Sequence, residues 1–249
     1  SMDAMIEKAP VTVILSAKGW IRGASGHEPL DKEFKFKEGD GPAYAVHAQT
    51  TDKLLVACDN GRFYTLGCDK LPSARGFGEP IRTMVDIDAG AEIVGLIVYK
   101  PKAQLLLASN VGRGFAAEAD ELLAETRKGR GVMNTKPGVK LTVVREIPPE
   151  HDHIAVVGDN RKLVVFALSW ATARRMGARG VTPMNQTFFL NESLGENRMT
   201  FTVDGIVGTI TLPPSPMWAS AAWMPQITDS KPVPTMRRTI SGVSSEMGP

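Results

Sequence analysis

A pattern that recurs about every fifty residues constrains this chain more than any other feature. Residues 54–66 read Leu-Leu-Val-Ala-Cys-Asp-Asn-Gly-Arg-Phe-Tyr-Thr-Leu, which is two apolar runs around a turn at Asn60-Gly61. Similar stretches begin at Leu105 and Ile154, and a fainter copy begins at Val11. Two apolar runs joined by a turn are typical of a β-hairpin. The sequence therefore predicts a chain built from repeated hairpins.

The spacing of the turns indicates radially repeated sheets. The hairpin turns at Gly61, Gly112 and Arg161 are 51 and 49 residues apart. Glycines that end basic loops repeat at 50, 55 and 49 residues; they are Gly26, Gly76, Gly131 and Gly180. A period of this length with roughly four strands favours a propeller-like array over a sandwich. We therefore predict an all-β chain of about five four-stranded blades.

The clearest hairpin is predicted residue by residue. Asn60-Gly61 is the dipeptide best suited to a two-residue type I′ turn, because both central residues of that turn need positive φ. This register pairs Cys58 with Phe63 and sets Cys68 opposite Lys53, which separates the two sulfur atoms. We therefore expect both cysteines to be reduced and structural, as in a reducing compartment.

Other segments give weaker patterns. Alternating apolar and charged residues predict an exposed strand at 32–36, and a further strand is predicted at 81–87. Residues 116–126 are rich in Ala, Glu and Leu, which predicts one or two helical turns. A fifth hairpin is predicted at 199–212, with its turn near Asp204-Gly205.

These patterns divide the chain into three parts. Residues 1–8 are read as a tag and linker, and residues 9–224 as the bladed domain, with the blade after residue 182 left open. Repeated prolines from Pro213 onward forbid regular ladders. Residues 225–249 are therefore read as a flexible tail.

Composition and charge exclude some classes of protein. The residues are 43% hydrophobic and 22% charged, as in soluble globular proteins, and no apolar run approaches the length of about 20 residues that crosses a bilayer. A net charge of +2 gives no strong nucleic-acid signal by itself. The basic residues are clustered, however, between Arg113 and Arg145 and between Arg161 and Arg179, and the second stretch contains no acid.

Two strings resemble a known family. One is Val-Thr-Val-Ile-Leu-Ser-Ala-Lys-Gly-Trp-Ile-Arg at residues 11–22, followed by Ser-Gly-His at 25–27. The other is Leu-Pro-Ser-Ala-Arg-Gly-Phe-Gly-Glu-Pro at 71–80. Both are similar to the C-terminal DNA-binding domain of the A subunit of bacterial topoisomerase IV, a relative of the C-terminal domain of the gyrase A subunit. The resemblance covers about residues 8–181 and implies a β-pinwheel, in which neighbouring blades exchange strands and a basic outer rim binds and bends duplex DNA.

The same resemblance implies a place in a larger enzyme. This part would carry no catalytic residues and no cofactor, while ATP and Mg²⁺ would serve the holoenzyme, an ATP-dependent type IIA topoisomerase of the bacterial cytoplasm. Its partners would be double-stranded DNA, bound without sequence preference, the enzyme's own N-terminal region, and the B subunit. It would present a duplex segment to the cleavage gate and tune the preference for decatenation and supercoils.

One motif separates the two branches of this family. The gyrase branch carries a glutamine-arginine-arginine-glycine-glycine-lysine-glycine box. The nearest match here is residues 174–180, with Ala173 in place of the glutamine and one extra residue. This disfavours gyrase-type wrapping, which stays as an alternative beside a propeller that serves as a protein-interaction platform.

The candidate DNA contacts are cations on the predicted loops. Such an array neutralises successive phosphates without reading sequence, and a neighbouring glycine lets the backbone approach a phosphate closely. The candidates are Lys18, Arg22, Arg62, Arg75, Arg113, Lys128, Arg130, Lys162, Arg174, Arg175 and Arg179.

Three further features have simpler interpretations. Phe77 is expected to pack beneath its blade, with a wedge against DNA as the alternative. The sequence His151-Asp152-His153 lacks neighbouring ligands and is interpreted as a polar loop rather than a metal site. Tyr44, Tyr64 and Tyr99 are expected to pack within the fold.

Overall fold

The computed structural model describes residues 6–158 and strand segments beyond them. These segments are 163–167, 176–177, 184–190, 198–203, 206–211, 236–240 and 243–247. The chain divides into two compact units: Ser1–Ala103 with Glu118–Arg145, and Gln104–Ala117 with Glu146–Pro249.

Strands dominate both units, which confirms the predicted all-β class. The first unit's strands are β1 (Pro10–Ser16), β2 (Trp20–Ser25), β3 (Pro42–Gln49), β4 (Lys53–Cys58), β5 (Arg62–Gly67), β6 (Glu79–Pro80), β7 (Ile93–Val98) and β10 (Arg130–Gly131). The second unit contains β8 (Gln104–Ser109), β9 (Arg113–Glu118), β12 (His153–Gly158), β13 (Leu163–Ala167), β14 (Met176–Gly177), β15 (Met184–Leu190), β16 (Arg198–Val203), β17 (Ile206–Thr211), β18 (Met236–Ile240) and β19 (Val243–Met247). β11 (Leu141–Ile147) spans the division, and Glu118 at the end of β9 belongs to the first unit. A single helical turn, α1, covers Ala119–Leu122.

Each sheet of the first unit receives a strand from later in the chain. The orders are β3-β1-β2-β6 and β7-β4-β5-β10, so a hairpin is flanked by a third strand on one side and a two-residue strand on the other. β6 reaches its sheet after the β4–β5 hairpin has passed, and β10 reaches its sheet after β8 and β9. This is the strand exchange that the resemblance implies.

The exchange recurs in one sheet of the second unit. β8 lies next to β9 and β9 next to β14, and the other two sheets have the orders β13-β12-β15 and β16-β17-β19-β18. Gly177 pairs with Arg113 as Gly131 pairs with Arg62. The number of blades stays a prediction.

The predicted type I′ turn at Asn60-Gly61 is wrong by one residue in register. Ala57, not Cys58, lies opposite Phe63, and Gly67 lies opposite Lys53. Gly61 has φ +79°, while the only described non-glycine residue with positive φ is Lys102. Gly61 donates its N–H to the Cys58 carbonyl at 2.9 Å, and the Asn60 side chain accepts from Arg62 N–H at 3.1 Å, so the loop has three residues and ends in a glycine bulge.

Both cysteines keep their predicted structural role. They are free and buried, and burial is the largest cause that raises the pKa of each thiol to about 12. A thiol with so high a pKa is neutral and unreactive at physiological pH.

The same turn recurs in two other hairpins, β1–β2 and β8–β9. Gly19 donates to the Ser16 carbonyl and Gly112 donates to the Ser109 carbonyl, each at 3.0 Å. Gly19 and Gly112 have φ of +81° and +73°. The repeat predicted from the sequence is therefore a repeat of turn geometry as well.

Two predicted strands do not form. Residues 81–87 begin with a 3-10 helical turn at Ile81–Thr83, because Ile81 donates its N–H to Gly19 and accepts from Met84 and Val85. The segment 32–36 pairs with no strand in the described part of the chain. Instead, Arg22 donates to the Lys35 carbonyl at 2.6 Å and lies 5.5 Å from the Phe36 ring centroid.

Two C-terminal predictions meet described strands. β16 and β17 pair up to Val203 and Ile206, which confirms the hairpin around Asp204-Gly205. The segment assigned to a tail contains β18 and β19, and β19 pairs with both β17 and β18. The division into a domain and a tail at residue 225 stays a prediction.

The core of the first unit joins its two hairpins. Val13 and Leu15 of β1 and Leu54 and Val56 of β4 belong to one buried cluster. Burying several aliphatic side chains in this way stabilises the fold by about 1.5–3 kcal/mol for each fully buried one.

None of the described helices is long and apolar enough to cross a membrane.

Candidate nucleic-acid interface

Two loops of the first unit lead into the exchanged strands, and they have the same construction. We call residues 71–78 and 122–129 the entry loops, since they precede β6 and β10. Each begins with a leucine, of which Leu71 packs against the core and Leu122 is fully buried. Each ends with a glycine of positive φ, Gly78 at +84° and Gly129 at +69°.

These glycines correct the repeat landmark chosen from sequence. Gly78 and Gly129 are 51 residues apart and occupy equivalent places, whereas Gly76 lies within its loop and Gly131 lies on β10. Gly26, the first of the four, follows β2 and donates to the Pro10 carbonyl. The basic Arg-Gly pairs at 75–76 and 130–131 are therefore not equivalent positions.

The backbone of each entry loop lies in close contact with the second strand of its hairpin. A Cβ on Gly78 would stand 2.1 Å from the Ile21 carbonyl oxygen, and one on Gly129 would stand 2.7 Å from the Phe63 carbonyl oxygen. Only glycine fits such an approach at positive φ. The backbone of each loop is thus fixed at its end.

Arg22 is a structural residue rather than an exposed phosphate contact. It is 5% exposed, and its guanidinium donates to the Gly76 carbonyl at 3.2 Å and to the Lys35 carbonyl at 2.6 Å. Burial lowers its pKa. We therefore remove Arg22 from the set of direct contacts predicted from the sequence.

Arg62 holds the second entry loop in a similar way. It donates to the Lys128 carbonyl at 2.7 Å and more weakly to the Gly129 carbonyl at 3.4 Å, and its Nε lies 3.8 Å from an Asp88 carboxylate oxygen. Its side chain remains 34% exposed. An arginine from each hairpin therefore clamps the entry loop that follows.

Four of the predicted cations of the first unit are exposed. Lys18 lies in the β1–β2 turn, Arg75 and Lys128 lie in the entry loops, and Arg130 lies on β10. Arg75, Lys128 and Arg130 form no side-chain ion pair within the described residues. The neighbouring Arg127, by contrast, lies 3.2 Å from the Asp86 carboxylate.

The remaining candidates fall in the second unit. Arg113 is exposed at the start of β9. The others lie outside the described residues; they are Lys162, Arg174, Arg175 and Arg179.

Phe77 does not pack beneath its sheet as expected. It is 42% exposed and is one of three large apolar side chains that stand out from the described surface. The backbone on either side explains this, because Arg22 binds the Gly76 carbonyl and Gly78 lies against Ile21. The ring is consequently held at the surface.

Sequence reasoning missed the basic segment that Arg22 holds beside the first entry loop. Lys35 and Lys37 are exposed, and Lys37 Nζ lies 3.2 Å from the Trp20 ring centroid. The alternation of apolar and charged residues at 32–36 was the signal, but it was interpreted as an exposed strand, and Lys37 lies just beyond it. The contact with Arg22 depends on tertiary packing, which a pattern of this length does not specify.

The described residues contain no group of three or more His, Cys, Asp or Glu side chains placed to bind a metal ion. In the predicted polar loop, His151 Nδ1 lies 3.4 Å from a carboxylate oxygen of its neighbour Glu150. The predicted packing of Tyr64 is confirmed by its full burial.

Individual known proteins match this chain, although no protein-family model does. The A subunit of DNA topoisomerase 4 from Caulobacter vibrioides is 44% identical over 168 residues, which is 68% of this chain and 22% of that protein. The Rickettsia bellii protein of the same name is 39% identical over 181 residues, 73% of this chain and 24% of that protein. The matched part is the C-terminal part.

The chain is a homologue of the C-terminal part of the topoisomerase IV A subunit. A solved structure of the Escherichia coli ParC C-terminal domain superposes with a TM-score of 0.67 and 23% identity, covering 82% of this chain and 86% of that one. The shared fold is the β-pinwheel, as the resemblance implies. The chain spans less than a quarter of the length of these topoisomerase IV proteins.

Proposed function

We propose that this chain is the non-catalytic DNA-binding and DNA-bending domain of the A subunit of a bacterial topoisomerase IV. It binds duplex DNA through cations on and beside its entry loops. The observation that carries the proposal is that Arg75, Lys128 and Arg130 are exposed and free of ion pairs within the described residues. A surface cation without an ion pair contacts a phosphate without first breaking a pair within the protein, and a fixed backbone reduces the cost of ordering the loop on binding.

The geometry favours binding without sequence readout. The cations stand on loops and on a two-residue strand, and the described structure offers no long recognition helix for the major groove. Phosphate contacts of this kind position a duplex but carry no sequence information. Binding of this class releases counterions and weakens as salt rises.

The role within a whole enzyme is part of the same proposal. The domain presents a duplex segment to the cleavage gate of an ATP-dependent type IIA topoisomerase and tunes its preference for decatenation and supercoils. ATP and Mg²⁺ belong to the holoenzyme, whose other parts are the N-terminal region of the same polypeptide and the B subunit, in the cytoplasm. Gyrase-type wrapping and a protein-interaction platform are the alternatives.

The first test removes two exposed cations. Arg75→Ala with Arg130→Ala should weaken binding to a labelled duplex about tenfold, because two phosphate contacts are lost, and should leave the circular dichroism spectrum unchanged. Fluorescence anisotropy on the full chain measures the affinity.

The matched control removes two cations elsewhere. Lys53 begins β4 and Lys70 follows β5, both at the end of that hairpin opposite its turn, and both are exposed. Lys53→Ala with Lys70→Ala should bind as the unmodified chain does. Equal losses in the two double variants would show an effect of net charge alone and would contradict the assignment.

A further inference from the structure

Phe77 is an exposed aromatic ring among cations, on a backbone that is fixed at both neighbours. Arg22 donates to the Gly76 carbonyl at 3.2 Å, while Gly78 approaches the Ile21 carbonyl too closely for any side chain. The ring itself is 42% exposed. Exposure here does not arise from a loose loop, since the loop is held on either side of the ring.

The neighbouring entry loop shows what this position presents. Phe77 and Lys128 each lie immediately before the glycine of positive φ that ends their loop, and they are 51 residues apart. Both side chains are exposed, and in both loops a clamping arginine binds a carbonyl at or beside this position. One loop therefore presents an apolar ring where the other presents a cation.

Charge complements the ring. Arg75, two residues before Phe77, is exposed. Lys35 is also exposed, and its carbonyl accepts a hydrogen bond from the same Arg22 guanidinium that binds the Gly76 carbonyl. An apolar side chain flanked by cations matches a ligand with a phosphate exterior and apolar, stacked surfaces within. Duplex DNA has this chemistry, and apolar wedges unstack base steps and bend it.

We propose that Phe77 is an apolar wedge that enters the duplex at one base step and promotes bending there. This inference rests on the proposed DNA-binding function. It adds an aromatic contact to the cationic ones, because the ring stacks on bases while the cations contact phosphates. Insertion disrupts base stacking in the DNA, which costs free energy, so a base step whose stacking is already weakened by a mismatch is the preferred site.

The variant Phe77→Ala separates the two contributions. In the full chain it should weaken binding to an intact duplex about 5- to 20-fold, in the range that a lost stacking contact gives. The slope of log affinity against log salt should not change, because no phosphate contact is lost. A duplex with a dye at each end should also show less bending by energy transfer. Phe77→Trp, which retains a stacking ring, should keep both affinity and bending.

Leu30→Ala is the matched control. Leu30 is 49% exposed. It lies two residues after Glu28, whose carbonyl contacts His47 of β3, and β3 is the edge strand opposite β6 in the same sheet. Its removal should change neither affinity nor bending. Losses as large as those of Phe77→Ala would mean that any exposed apolar residue matters, and would overturn the wedge.

A mismatched duplex completes the experiment. A duplex with two adjacent mismatches should bind the unmodified chain more tightly than a fully paired one, and Phe77→Ala should lose this preference. If the unmodified chain binds duplex with a steep salt dependence but Phe77→Ala binds and bends equally well, the wedge is wrong and the DNA-binding function stands. If the unmodified chain does not bind duplex at all, the proposed function itself fails.

Discussion

Two arginines show how residues of one type take different roles in this fold. Arg22 is buried with its donors on two carbonyls, whereas Arg75 is exposed with no ion pair among the described residues. Both were predicted from the sequence to contact phosphates, because Arg22 follows a predicted turn and Arg75 lies within a predicted loop. Burial, which separates them, is a property of the packed sheet.

Exchanging each arginine for methionine should therefore give opposite phenotypes. Arg22→Met should lower the free energy of unfolding by about 2 kcal/mol, because the buried guanidinium's hydrogen bonds to the Gly76 and Lys35 carbonyls are lost. Arg75→Met should leave that free energy unchanged and weaken DNA binding. Urea unfolding and anisotropy, measured on both variants, check this pair; destabilisation by Arg75→Met alone would reverse the assignment.

At the scale of elements, the entry loops depend on the glycines that end them. Gly78 has positive φ, and its Cβ position lies 2.1 Å from the Ile21 carbonyl oxygen. Gly76, two residues earlier, has nothing within 4 Å of its Cβ position. The two glycines of one loop therefore form an internal comparison.

Gly78→Ala should be destabilising and Gly76→Ala should not. The strain of positive φ costs about 1–2 kcal/mol, and displacement of the loop from β2 adds to it. Thermal unfolding of the two variants measures the difference. Equal melting temperatures would mean that the loop is not fixed at Gly78.

The limits of sequence prediction follow from the same elements. Apolar runs and turn glycines located β1, β2, β4 and β5 because burial and positive φ leave local signals. The type I′ assignment failed because the Asn60 side chain accepts the Arg62 N–H and keeps Asn60 out of the left-handed region. Residues 81–87 failed as a strand because the Gly19 carbonyl binds Ile81, a contact 62 residues distant in the sequence.

The candidate site was predicted unevenly for a related reason. Basic residues near glycines identified the loops, but exposure of Phe77 and burial of Arg22 depend on the carbonyls that Arg22 reaches from β2. Lys35 and Lys37 were missed because their segment is held by side chains rather than by a ladder.

At the scale of the whole molecule, the repeat unites the fold with the proposed function. An exchanged strand beside a hairpin recurs along the described chain at β6, β10 and β14, and the first two are each preceded by a described entry loop. On the proposed function, DNA binding is then distributed over more than one loop, so no single substitution should abolish it. This distribution is expected of a surface that follows a duplex over many phosphates.

The salt dependence of duplex binding by the full 249-residue chain tests this account most directly. If the five exposed candidates Lys18, Arg75, Arg113, Lys128 and Arg130 each neutralise a phosphate, log affinity should fall against log salt with a slope of about −4 or steeper. Two duplexes of unrelated sequence should give the same slope and the same affinity. A slope near zero, or binding confined to one sequence, would contradict a surface built from phosphate contacts.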